Sequence, residues 1–148
     1  MRKLFVLAAI IAFALTLLVA APSFAAPPSG TPVCVLINNG GDQSWDSCLT
    51  IYYSITADAD FRITRATATL KNVKTCPGLP TRYSNLWKNI SVLEATKTAT
   101  KGLCGTGPDY QVDYWNAADP ARIFPHGTRL HSTWQSVTDT AHPIITLA

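Results

Sequence analysis

Leu49, Ile51, Tyr53 and Ile55 alternate with Thr50, Tyr52, Ser54 and Thr56. Successive side chains of a strand point to opposite faces, so this spacing builds one apolar and one polar face, which is the pattern of a half-buried strand. The signal recurs. Phe61, Ile63 and then Ala66, Ala68 and Leu70 carry apolar side chains in two opposite phases, which one extra residue near Arg65 reconciles as a β-bulge. Tyr110, Val112 and Tyr114 alternate with Gln111, Asp113 and Trp115. Val33 to Ile37, Leu130 to Trp134 and Ile144 to Leu147 add three more short runs that suit strands.

Turn residues punctuate these runs. Asn38-Asn39-Gly40-Gly41-Asp42, Ala57-Asp58-Ala59-Asp60, Gly105-Thr106-Gly107-Pro108 and Pro125-His126-Gly127 each break the pattern with residues that tolerate tight turns. From Ser84 to Lys101 two readings compete. Leu86, Ile90 and Leu93 fit one helical face with Ser84 as N-cap, whereas the threonine-rich second half fits a strand, and we favour strand. Six to eight short strands between regular turns predict an all-β fold, a small disulfide-bonded antiparallel β-sandwich of immunoglobulin-like or related kind.

The chain opens differently. Met1-Arg2-Lys3 is positive, Leu4 to Ala21 is apolar but for Thr16, and Pro22 precedes Ser23-Phe24-Ala25. A charged start, an apolar centre and small residues at a cleavage point make a secretory signal peptide, with processing expected after Ala25. Ala26 to Pro32 reads as a flexible lead-in, and 33–148 as one domain. The signal and its site read as bacterial, so the expected location is secreted and extracellular. No membrane contact is expected after cleavage.

Twelve basic residues less Arg2 and Lys3 leave ten, against nine acidic ones, a net of +1 for the mature chain. The ten are scattered from Arg62 to Arg129, which argues against nucleic acid as a partner. Cys34, Cys48, Cys76 and Cys104 make an even set in an exported chain and predict two disulfides. The pairs Cys34–Cys48 and Cys76–Cys104 each close a loop around one turn signal and are the expected ones. No Cys-x-x-Cys spacing suggests a metal, and no cofactor is expected.

His126, His131 and His142 cluster late in the chain, with Asp119 and Asp139 nearby in sequence. His126 sits in a turn and His142 precedes a proline, so exposed or structural roles are the expected ones. Glu94 is the sole glutamate, and a glutamate with a histidine is the pair small secreted ribonucleases use for acid–base catalysis. The flanking context of such enzymes is missing. Cys76-Pro77-Gly78-Leu79-Pro80-Thr81-Arg82 resembles the stiff, disulfide-tied loop of protease inhibitors, and secreted bacterial subtilisin inhibitors carry two sequential disulfides at loosely similar spacing. Two departures count against that resemblance: Gly78 would take the specificity position, and the chain runs on to Ala148 past Cys104.

Aromatic residues remain. If only one face of a strand meets the core, Tyr110, Tyr114 or Trp115 must be exposed beside the 105–108 turn. The sequence therefore predicts a secreted, non-enzymatic, monomeric binding domain contacting an extracellular protein or polysaccharide through those rings. A protease inhibitor using 76–82 and a small secreted hydrolase, such as a ribonuclease using Glu94 and a histidine, are the alternatives.

Overall fold

The computed structural model describes residues 25–38, 44–72, 81–101, 108–135 and 140–148. The signal segment up to Phe24, the 39–42 part of the first turn, Cys76 and Cys104 with their expected bond, the 105–107 turn and Asp139 lie outside the described residues. Among the described residues there are ten strands and no helix, arranged as two antiparallel sheets.

The alternation after Cys48 belongs to β2 (Ser44–Ile55). Its phase extends back to Trp45, and Trp45, Ser47, Leu49 and Ile51 are buried while Ile55 projects into solvent. β2 pairs with β3 (Phe61–Asn72), and the register shifts between Tyr52, opposite Arg65, and Tyr53, opposite Ile63. Thr64 is therefore the extra residue, and the phase change read near Arg65 is a bulge. It lets Phe61 and Ile63 on one side of it, and Ala66, Ala68 and Leu70 on the other, all reach the same core.

β1 (Pro32–Asn38) pairs along β2 from Pro32 opposite Thr50 to Asn38 opposite Ser44. Cys34 lies directly across from Cys48, and the two are disulfide-bonded. The later half of β3 pairs with β7 (Tyr110–Trp115), and its first residues pair with the short β8 (Arg122–Phe124). β6 (Thr100–Lys101) closes the far edge against β7.

The ambiguous stretch from Ser84 to Lys101 is a hairpin of β4 (Tyr83–Lys88) and β5 (Val92–Thr98), continuing into β6. Asn89 (φ 48) and Ile90 (φ 77) both take left-handed backbone at its tip, which turns the chain within three residues and ends the run that a helix would have continued. β4 also pairs with β9 (Arg129–Trp134), and β10 (Ile144–Thr146) pairs with β9, giving the order β10-β9-β4-β5.

Both sheets feed one buried apolar cluster. Leu49, Ile63, Leu70 and Tyr110 come from the first sheet, and Leu86, Leu130, Trp134 and Ile145 from the second. Tyr114 bridges them: its hydroxyl lies 2.6 Å from Ser84 Oγ and donates to the Asn85 carbonyl at 3.1 Å.

The stretch read as a lead-in makes specific hydrogen bonds to the domain. Ala26 N–H donates to the Ala148 carbonyl at 2.9 Å and Gly30 N–H to the Ile51 carbonyl at 2.8 Å. Tyr53 holds the middle, its N–H donating to Ser29 Oγ and its hydroxyl to the Pro27 carbonyl. Gly30 is required there, because its φ is +80° and a Cβ would meet Tyr52 Cε1 at 2.9 Å. The composition of 26–32 signals a lack of regular structure, which is a different property from a lack of contacts.

Candidate functional site

The rings expected at the surface are inside. Tyr110 is 0% exposed, Tyr114 3% and Trp115 2%, so none of them forms a contact surface. The error has a local cause. Ala66 pairs with Trp115 and Thr67 with Asp113, leaving Tyr114 as the extra residue of a second bulge. Tyr114 and Trp115 therefore both turn inward, whereas strict alternation would have sent one outward. Trp115 packs on Phe124 with ring centroids 6.5 Å apart. What faces solvent at mid-strand is Asp113, whose carboxylate accepts from Thr67 Oγ1 at 2.8 Å and pairs with Arg65 at 3.3 Å.

The outer face of the second sheet carries a continuous aromatic and aliphatic row. On β4, Ser84 and Leu86 point to the core, so Tyr83, Asn85 and Trp87 point away from it. Register carries that face across the sheet. Leu93 lies opposite Trp87, Trp87 opposite His131, and His131 opposite Ile144, which makes one row over four strands. A neighbouring row runs Thr96, Asn85, Thr133.

Side chains within these rows are mutually fixed. Trp87 Nε1 donates to Thr133 Oγ1 at 2.9 Å, and Thr96 Oγ1 donates to Asn85 Oδ1 at 2.7 Å. The Trp87 and His131 rings lie 6.3 Å apart and 11° from parallel, and His142 stacks on His131 at 6.0 Å. Burial first, then the neighbouring His142 and Arg129, hold the His131 imidazole below its ordinary pKa, so it is neutral at pH 7. Leu93 (51%), Ile144 (41%) and Tyr83 (44%) stay open to solvent around this fixed centre. No Asp, Glu, Lys or Arg stands in either row, and their one titratable group, His131, is neutral at pH 7. Trp87 and Tyr83 are visible in sequence. Their face became readable only once 83–98 was known to be a hairpin with its own bulge at Glu94.

Glu94 is that bulge residue, since Ala95 pairs with Leu86 and Leu93 with Trp87. Its carboxylate meets Lys88 Nζ at 3.1 Å and Arg122 at 3.7 Å. Glu94 therefore leans toward the first sheet, while His131 and His142 occupy the opposite face of the second, and His126 lies beside Phe61. The Glu–His pair that ribonuclease chemistry needs is not assembled around Glu94. Of the loop expected in a protease inhibitor, 76–80 lies outside the described residues. Arg82 is buried, with its guanidinium 5.0 Å over Trp45 and 5.6 Å over Tyr110.

Beside Glu94, where β5 approaches the end of β7, a cleft of about 410 Å³ opens between Lys97, Tyr114, Trp115, the 119–121 loop and Arg122. Among the described residues no group of three His, Cys, Asp or Glu side chains is placed to hold a metal. Comparison with family models, with curated proteins and with solved structures finds no match for the chain.

Proposed function

We propose that this protein is an exported, non-enzymatic binding domain, an immunoglobulin-like β-sandwich that recognises another extracellular protein through the outer face of β10-β9-β4-β5. The carrying observation is the row Leu93, Trp87, His131, Ile144, an aromatic centre flanked by exposed aliphatic side chains and free of charge. Interface cores are poor in charged residues and rich in aromatic anchors, and such an anchor contributes about 2 kcal/mol or more to binding. Leu93 and Ile144 favour a protein over a polysaccharide. A sugar ring stacks on a flat aromatic face, whereas branched aliphatics interdigitate with other side chains. Export is supported by the signal-like first 25 residues and by the Cys34–Cys48 bond, which suits an oxidising compartment.

Site-specific photo-crosslinking tests the face. A crosslinking residue at Leu93 is expected to trap one defined protein from the extracellular fraction, and one at Asp113 on the first sheet is expected to trap none. Trp87→Ala should weaken that capture about thirtyfold with the thermal midpoint retained. Equal trapping from both positions refutes the proposal, as does Trp87-dependent retention on polysaccharide in place of protein.

A further inference from the structure

The cleft beside Trp115 is separate from the outer sheet face and has the opposite chemistry. Its cations are Lys97 on β5 and Arg122 at the start of β8. Lys97 has no ion pair among the described residues. Arg122 is held in place: its guanidinium lies 5.0 Å over the Trp115 ring, and one nitrogen is 3.7 Å from Glu94. Glu94 is closer to Lys88, at 3.1 Å, so its single charge is shared and Arg122 is incompletely neutralised. The one carboxylate lining the cleft, Asp119, already accepts the Asn116 N–H at 2.8 Å. Two cations against one engaged carboxylate leave the cleft positive.

We propose that this cleft binds a small ring-bearing carboxylate. The volume of about 410 Å³ lies within the range of small-molecule sites. An arginine whose plane is set by an aromatic ring presents its free N–H edges as a fork, which matches the two oxygens of a carboxylate. Lys97, on the facing sheet, adds a point charge to the same anion, and Pro120 and Ala121 supply an apolar wall for the ring. The site is shaped by both bulges at once. Glu94 reaches Arg122 because it is the extra residue of β5, and Trp115 turns inward because Tyr114 is the extra residue of β7.

Benzoate is the probe, with benzamide as its neutral isostere and inorganic phosphate as a tetrahedral anion. The indole N–H of Trp115, which has no hydrogen-bond partner among the described residues, reports binding by NMR. Benzoate is expected to shift that resonance saturably with Kd about 1 mM or below, and benzamide to leave it unmoved. Arg122→Gln should weaken benzoate about tenfold and Lys97→Gln several-fold, while Lys101→Gln on β6 changes nothing. Lys97 is exposed and unpaired, so its variant keeps the test intact if Arg122→Gln disturbs folding. No saturation by about 20 mM benzoate overturns the site. Equal binding of benzamide overturns the role of charge, and phosphate binding as tightly as benzoate overturns the carboxylate assignment.

Discussion

Removing one oxygen from Tyr114 should destabilise the whole domain measurably. Ser84 Oγ donates to the Thr133 carbonyl at 2.9 Å, so the proton between Ser84 and Tyr114 at 2.6 Å belongs to the phenol. That proton is shared with the Asn85 carbonyl at 3.1 Å. Tyr114→Phe therefore removes a donor aimed from β7 at two acceptors on β4, in a side chain 3% exposed. A net hydrogen bond contributes about 1 kcal/mol, and an acceptor left buried without a partner adds about 1 kcal/mol more. Because Ser84 keeps its bond to Thr133, we expect a loss of about 1.5 kcal/mol, or a midpoint lower by about 5 °C. Urea unfolding of Tyr114→Phe, Ser84→Ala and the double variant should give a coupling of about 1 kcal/mol between the two side chains. Alkaline pH gives a second, independent readout. Burial, opposed by the Ser84 hydrogen bond, raises the Tyr114 pKa above its ordinary value of 10. The unfolded chain ionises first, so the phenol's contribution is complete below about pH 10 and is lost as pH rises beyond it. Tyr114→Phe should flatten that alkaline limb. Unchanged stability at neutral pH together with an unchanged alkaline limb would refute the bridge between the sheets.

His131 should act on the acid side. Its folded pKa is depressed, so stability is complete above about pH 6.5 and declines as pH falls through the depressed value; His131→Gln should show a shallower decline in midpoint from pH 7 to 5, and parallel curves would contradict it. Replacing Cys34 and Cys48 together by serine should cost about 3 kcal/mol in urea unfolding, given a sequence separation of 14, and an unchanged midpoint would show the bond does not constrain the unfolded chain. Non-reducing peptide maps of secreted material are expected to contain a Cys76–Cys104 peptide and an N-terminus at Ala26. Material starting at Met1 would reject processing, and a map with those two thiols free would reject the second bond.

The strands and even the first bulge were legible because apolar phase is written directly into sequence. Phe61 and Ile63 against Ala66, Ala68 and Leu70 announce an inserted residue near Arg65. The second and third bulges, at Tyr114 and Glu94, leave no such mark. Tyr110, Val112 and Tyr114 against Gln111, Asp113 and Trp115 read as unbroken alternation, and only the partner strand shows that Tyr114 is extra. The site suffered accordingly. Burial of Trp115 is decided by pairing with Ala66, a residue far away in the chain, and the row from Leu93 to Ile144 exists only through the order of four strands. The aromatic rings that the sequence suggests for a contact surface on β7 are buried, and the surface proposed above lies on β4 instead.

β3 has three neighbours, β2, β7 and β8, and these reach it after very different lengths of chain. β1, β2 and β3 form a meander from 32 to 72 that closes through consecutive strands, whereas β7 and β8 must return from 110–124 and β9 joins β4 from 129–134. Loop closure makes the distant pairings slow, on the order of milliseconds to seconds in all-β domains. Folding is thereby given a direction in time. The meander should protect its amides first and wait with Leu49, Ile63 and Leu70 uncovered until Leu86 and Leu130 arrive. Pulsed hydrogen exchange during refolding should find β2 and β3 protected before β9, and simultaneous protection would remove the interval. During that interval the half-built domain exposes the apolar face it will later hide, so its most aggregation-prone moment comes while its last strands are still arriving.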